Sequence, residues 1–130
     1  MRAHADLSGK RILLVEDDAL IGADLAGELT QLGATVTLTG RLTEAIALAE
    51  GAVDHAVLDV KLEDGNAHPV ADRLLARGVP VTFHSATTRC AGLAARFPGA
   101  AVLRKPALPQ ELAATIRRTG GAAFETGEDA

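Results

Sequence analysis

Apolar residues fall along this chain in two alternating rhythms. Arg11-Ile-Leu-Leu-Val15 is apolar at four consecutive positions, which suits a strand buried on both faces. Leu20, Ile21, Leu25, Leu29 and Leu32 then recur at helical spacing, and Gly33 stands where such a helix would stop. Ala34, Val36 and Leu38 alternate with Thr35, Thr37 and Thr39, the pattern of an edge strand with one wet face. A helix follows over 43–50 with Ala45, Ile46 and Ala49 inward, and then a strand, Ala56-Val-Leu-Asp-Val60. The spacing next predicts a helix over 68–77 with Val70, Leu74 and Leu75 inward, and a strand over 79–84 with Pro80 near its start. A weaker helix over 89–96, a strand over 100–103 and a helix over 108–119 complete the series. The last has Pro109 in its first turn and Leu112, Thr115 and Ile116 inward.

Five strands alternating with five helices predict an α/β fold with a parallel sheet covered on both faces. The edge-like second strand fits the doubly wound, flavodoxin-like strand order 2-1-3-4-5. Residues 1–9 read as a polar tail, 10–119 as one domain, and 120–130 as a flexible acidic tail.

Composition narrows the function. The chain has 130 residues, enough for one domain. Thirteen basic and 17 acidic residues give a net charge of −4, which argues against a nucleic-acid binder. With three Phe, no Trp and no Tyr, there is no base-stacking platform. Alanine supplies 26 residues, so the core must come from Leu, Val and Ile. No apolar run approaches the ~20 residues of a membrane span, and no signal-peptide core follows Met1-Arg2. A single cysteine, Cys90, excludes an internal disulfide and fits a cytoplasmic setting.

In a sheet of this order the working site lies beyond the carboxyl ends of the strands. The first strand delivers Glu16, Asp17 and Asp18, the third Asp59, the fourth Ser85-Ala86, and the fifth Arg104-Lys105-Pro106. Gathered carboxylates repel unless a cation joins them, and Mg2+ favours such hard oxygen ligands. One carboxylate would remain as a nucleophile toward a phosphoryl group, with a lysine spreading the transferred charge. Taken alone, Glu16-Asp17-Asp18 equally suits the start of a helix. His84 either packs at a strand end or tunes phosphoryl transfer. His4, His55 and His68 lack ligand spacing.

The elements Val15-Glu-Asp-Asp18, Val57-Leu-Asp-Val-Lys-Leu62, Gly65, Ser85-Ala86 and Lys105-Pro106 resemble, in order and spacing, a response-regulator receiver domain of two-component signalling. The resemblance implies Asp59 as phosphoacceptor, and Glu16 and Asp17 as the acidic pair for Mg2+. It implies the backbone carbonyl of Lys61 as a further ligand, Ser85 as the hydroxyl position, and Lys105 as the lysine, followed by a cis peptide bond. The segments 68–83, 95–99 and 102–106 are similar to single-domain alphaproteobacterial regulators of the FATGUY type. In those a Phe-Ala-Thr-Gly segment ends the fourth strand, where this chain has Phe83-His84-Ser85-Ala86. Val102 replaces the family's usual switch aromatic, Ala107 stands where Phe is common, and Lys61 puts a cation at the rim.

The implied function is a stand-alone phosphoacceptor rather than an enzyme. It would be served by a histidine kinase or phosphotransfer protein, with output by protein contact or as a phosphate sink, and without nucleic-acid or membrane partners. The alternatives are a receiver-like binding module that signals without phosphorylation, or an aspartyl-phosphate phosphatase. The phosphatase would want Asp-x-Asp directly after the first strand, which Glu16-Asp17-Asp18 does not supply.

Overall fold

The structure, a computed structural model, describes residues 6–129, with side chains described as far as Thr119. Among the described residues seven strands and five helices follow in the order β1 (Arg11–Val15), α1 (Ala19–Gln31), β2 (Thr35–Thr39), α2 (Leu42–Leu48), β3 (His55–Leu58), β4 (Lys61–Leu62), β5 (Gly65–Asn66), α3 (His68–Ala76), β6 (Val81–Ser85), α4 (Thr87–Arg96), β7 (Ala101–Arg104) and α5 (Pro109–Asp129). Five strands form one parallel sheet in the order β2-β1-β3-β6-β7. That is the doubly wound order expected from the edge-like second strand.

Alternation along the strands divides the core into two layers. Leu13, Val15, Ala56, Leu58, Val81 and Phe83 pack under α2, α3 and α4, with Phe97 5.0 Å from Phe83 between ring centroids. Ile12, Leu14 and Val57 pack on the other face with Leu25, Leu29, Leu112 and Ile116 of α1 and α5. The second face is the more polar one, since His55, Thr82, His84 and Thr115 are all buried. His55 Nε2 lies 2.8 Å from Thr82 Oγ1.

Several expectations need correction. Leu7 is not part of a tail: it is fully buried in the α1–α5 layer, and its N–H donates to Leu32 O at 2.8 Å. Of the rest of the proposed tail, residues 1–5 lie outside the described residues. Leu20 and Ile21 turn outward, because the first turn of α1 overhangs the carboxyl edge of the sheet. Gly22 takes the inward place, where a Cβ would lie 3.0 Å from Leu38 Cδ1. The alternation in β2 also fails at its end, with Leu38 exposed and Thr39 buried. The backbone of α5 continues past Gly120, where the sequence pattern ends it. Glycine weakens a helix without clashing with helical φ/ψ.

Short-range pattern also misses the β4–β5 hairpin, whose strands have two residues each. Its Gly65 has φ +145°, and a Cβ there would lie 2.7 Å from Leu42 Cδ2. Next to it, Asp64 caps α2, accepting from Leu42 N–H at 2.7 Å and Thr43 N–H at 3.3 Å. The segment following Asp59 is thereby tied to the second helix.

Candidate functional site

The parallel sheet brings the ends of β1, β3, β6 and β7 to one mouth. Asp59 follows β3 directly and is held by its N–H donating to Val15 O at 2.8 Å. This places the third strand's carboxylate beside the first strand's acids. Carboxylate oxygens of Glu16, Asp17 and Asp59 all lie within 4.8 Å of one another. Glu16 and Asp59 are buried, while Asp17 is exposed. Gly40 permits this crowding: a Cβ there would meet Glu16 O at 3.1 Å and Asp17 Cα at 3.3 Å.

The three consecutive acids divide their work. Asp18 is the N-cap of α1, its Oδ1 accepting from Leu20 N–H and Ile21 N–H at 3.0 Å each. Glu16 Oε2 accepts from Asp18 N–H at 3.2 Å and otherwise faces the mouth. The helix-start reading therefore holds for Asp18, and the acidic-cluster reading for Glu16 and Asp17.

Lys105 supplies the cation of the mouth. Its Nζ lies 3.2 Å from Glu16 Oε2 and 3.2 Å from Asp59 Oδ2. Its own backbone N–H donates to Ser85 O at 2.7 Å, locking β7's end to β6's. The Lys105–Pro106 bond is cis, in agreement with the resemblance. Ser85 is 1% exposed, and its Oγ has no hydrogen-bond partner among the described residues. An unpaired buried hydroxyl is costly, and this one belongs to a residue lining the same recess as Asp59 and Lys105. Lys61 lies at the rim, exposed, in a recess of about 430 Å³ that it lines with Asp17, Asp59, Ser85, Ala86, Arg89 and Lys105.

Charge at the mouth is unbalanced. Burial, and then the Asp59 charge, push Glu16 up to about 7 from an ordinary 4.5. Burial and Asp59 also raise Asp17. Burial works against the Lys105 ammonium, but Asp59 and Glu16 outweigh it and hold its pKa above the usual value. Among the described residues Lys105 is the one cation within ion-pair distance of these acids, and gathered carboxylates favour a further cation beside them.

Of the residues singled out from the sequence, Glu16, Asp17, Asp59, Lys61, Ser85 and Lys105 meet at one place, while Asp18 caps the helix. Arg89 escaped that reading, and His84, left there between packing and tuning, makes a contact it did not foresee. Arg89, in the first turn of α4, lines the same recess. His84 reaches round to the segment after Lys105, its Nε2 accepting from Ala107 N–H at 3.2 Å. Neither contact leaves a local sequence pattern.

No protein-family model matches the chain, and no curated protein does. Solved structures do match. The non-phosphorylated HemR receiver domain from Leptospira biflexa is 29% identical over 86% of this chain and 94% of that one, with a TM-score of 0.75. A response regulator receiver protein from Sinorhizobium medicae is 24% identical over 90% and 98%, with a TM-score of 0.81. A CheY-like response regulator receiver domain protein from Methanospirillum hungatei is 24% identical over 93% and 98%, with a TM-score of 0.77. The chain therefore has the CheY-like fold, and its structural neighbours are response-regulator receiver domains. Among the described residues no helix is long and apolar enough to cross a membrane.

Proposed function

We propose that the chain is a response-regulator receiver of two-component signalling, in which Asp59 accepts a phosphoryl group from a phosphohistidine of a histidine kinase or phosphotransfer protein. The observation that carries this reading is the meeting of Glu16, Asp17 and Asp59 oxygens within 4.8 Å, with the Lys105 ammonium 3.2 Å from Asp59.

These hard oxygen donors fit Mg2+ in both number and kind. Glu16, Asp17, Asp59 and the carbonyl of Lys61 would hold it. When bound, the ion neutralises the carboxylates and takes part of the charge on the phosphoryl oxygens. The chain's own residues account for the remainder. A carboxylate oxygen of Asp59 attacks phosphorus, and the new P–O bond forms as the donor's P–N bond breaks. The electron pair leaves on the imidazole nitrogen, which takes up a proton. Lys105 offsets charge on the transferred oxygens, Ser85 donates its free hydroxyl to one of them, and Ala86 leaves them room.

Apolar surface beside the mouth suits a protein donor. Leu20 is 83% exposed and Leu108 62%, and each follows the carboxyl end of a strand. The segments at 68–83, 95–99 and 102–106 support the single-domain alphaproteobacterial kind. With Val102 in place of an aromatic, output runs through loop rearrangement and protein contact, or the chain drains phosphate from a shared kinase.

Phosphotransfer from a panel of histidine kinases tests this reading. The expected result is label on the wild-type chain, lost with EDTA and lost in Asp59→Ala. A wild-type chain that takes no label from any kinase or small-molecule phosphodonor would contradict it.

A further inference from the structure

His84 is an imidazole buried in the α1–α5 layer, 3% exposed, on a central strand. Its Nε2 accepts from a backbone N–H, so in the neutral ring the proton sits on Nδ1. That Nδ1 is buried and has no partner among the described residues. An apolar residue of similar size would fill the space without an unpaired donor, so packing alone does not account for a histidine here.

The hydrogen bond it makes has a particular place. Residues 105–107 carry two backbone N–H groups, because Pro106 has none. Lys105 N–H donates to the Ser85 carbonyl at 2.7 Å, and Ala107 N–H donates to His84 Nε2 at 3.2 Å. Adjacent residues of β6 thus grip the segment on either side of the proline. The gripped segment carries the ammonium that sits 3.2 Å from both Glu16 and Asp59. A displacement of about 1 Å in such a group can cost up to a hundredfold in rate.

We propose that His84 is a positioning residue: its imidazole clamps Ala107 so that the Lys105 ammonium is held at the carboxylate of Asp59. This deepens the receiver reading and rests on it for its kinetic consequence. The role requires an acceptor at the Nε2 position, which glutamine can offer through its side-chain oxygen, whereas leucine offers none and methionine only a weak one.

The test compares wild type with H84Q, H84L, H84M, K105A and the double variants H84L/K105A and H84M/K105A. It measures phosphoryl uptake from phosphoramidate at saturating Mg2+, Mg2+ affinity by calorimetry, and the Lys105 side-chain NMR resonances. H84L and H84M are expected to take up phosphoryl about tenfold more slowly, with Mg2+ affinity unchanged and Lys105 resonances moved toward those of a free lysine. H84Q recovers the rate and the resonances. In the K105A background neither apolar substitution slows uptake further, because the residue it acts through is gone. Wild-type rate and resonances in both apolar variants, or an equal loss with and without Lys105, would overturn the proposal. If one apolar variant fails to fold, the other decides. If wild type takes up no phosphoryl group at all, the receiver reading fails, and the Lys105 resonances alone judge the clamp.

Discussion

The two ends of the parallel sheet are built on opposite terms. At the amino end, charge is matched. Asp54 accepts from the Arg11 backbone N–H at 2.7 Å, Arg11 Nε at 2.9 Å and Arg11 Nη2 at 3.0 Å. His55 is buried beside Thr82 and kept neutral, its pKa pushed down to about 3 by burial and then by Lys10. At the carboxyl end, three carboxylates face one ammonium, and a buried hydroxyl has no partner. Folds violate local rules of satisfaction chiefly where they act. Buried His55 Nδ1 at the amino end is also unpaired among the described residues, so it is the imbalance of charge that marks the carboxyl end as the place where the proposed chemistry would act.

The ends also answer pH with opposite signs. His55 binds a proton in the unfolded chain below 6.5 but in the folded chain only near 3. Its stabilising contribution is complete above 6.5 and is lost as pH falls toward 3. Glu16 is raised from 4.5 to about 7, so the folded chain holds that proton longer than the unfolded one. In the absence of a cation, stability is lost there as pH rises from 4.5 through 7.

The largest effect expected from breaking the contrast is kinetic. Lys105→Ala removes the ammonium, and phosphoryl uptake from phosphoramidate should slow by roughly two to three orders of magnitude. Next comes the cation. At a hundred times its dissociation constant Mg2+ should stabilise the wild-type chain by about 2.7 kcal/mol, read from urea unfolding. The same concentration should do almost nothing for a Glu16→Gln/Asp17→Asn chain. At the other end, wild type should lose about 1.4 kcal/mol per pH unit through His55 within its window below 6.5. His55→Leu should flatten that part of the profile, and a slope unchanged by the substitution would remove His55 from the account. The smallest effect sharpens the division among neighbouring acids. Asp18→Ala should cost about 1 kcal/mol through the lost helix cap, with Mg2+ affinity unaltered.

What the sequence discloses follows from where the physics is local. Strands buried on both faces and helices with one apolar stripe leave a periodic trace, so the alternation and the edge character of β2 are legible. Sheet order then carries Glu16, Asp59, Ser85 and Lys105 to one mouth, although they span 89 positions. Contacts without period stay hidden. Leu7 is a single leucine in a polar stretch, buried only because the chain before β1 lies against Leu32. Asp64 caps a helix more than 20 residues earlier in the chain. Leu20 fits the stripe of α1 but sits beyond the sheet that would have covered it, and His84 meets Ala107 only once β6 and β7 are paired.

In the proposed chemistry the gathered acids leave one carboxylate, Asp59, to take the phosphoryl group. Reductive trapping tests it most directly: the chain is incubated with phosphoramidate and Mg2+, then treated with borohydride, which reduces an aspartyl phosphate to homoserine, and its peptides are weighed. Homoserine is expected at position 59 alone, dependent on Mg2+. Homoserine at another aspartate, or none anywhere while the chain stays folded, would contradict it.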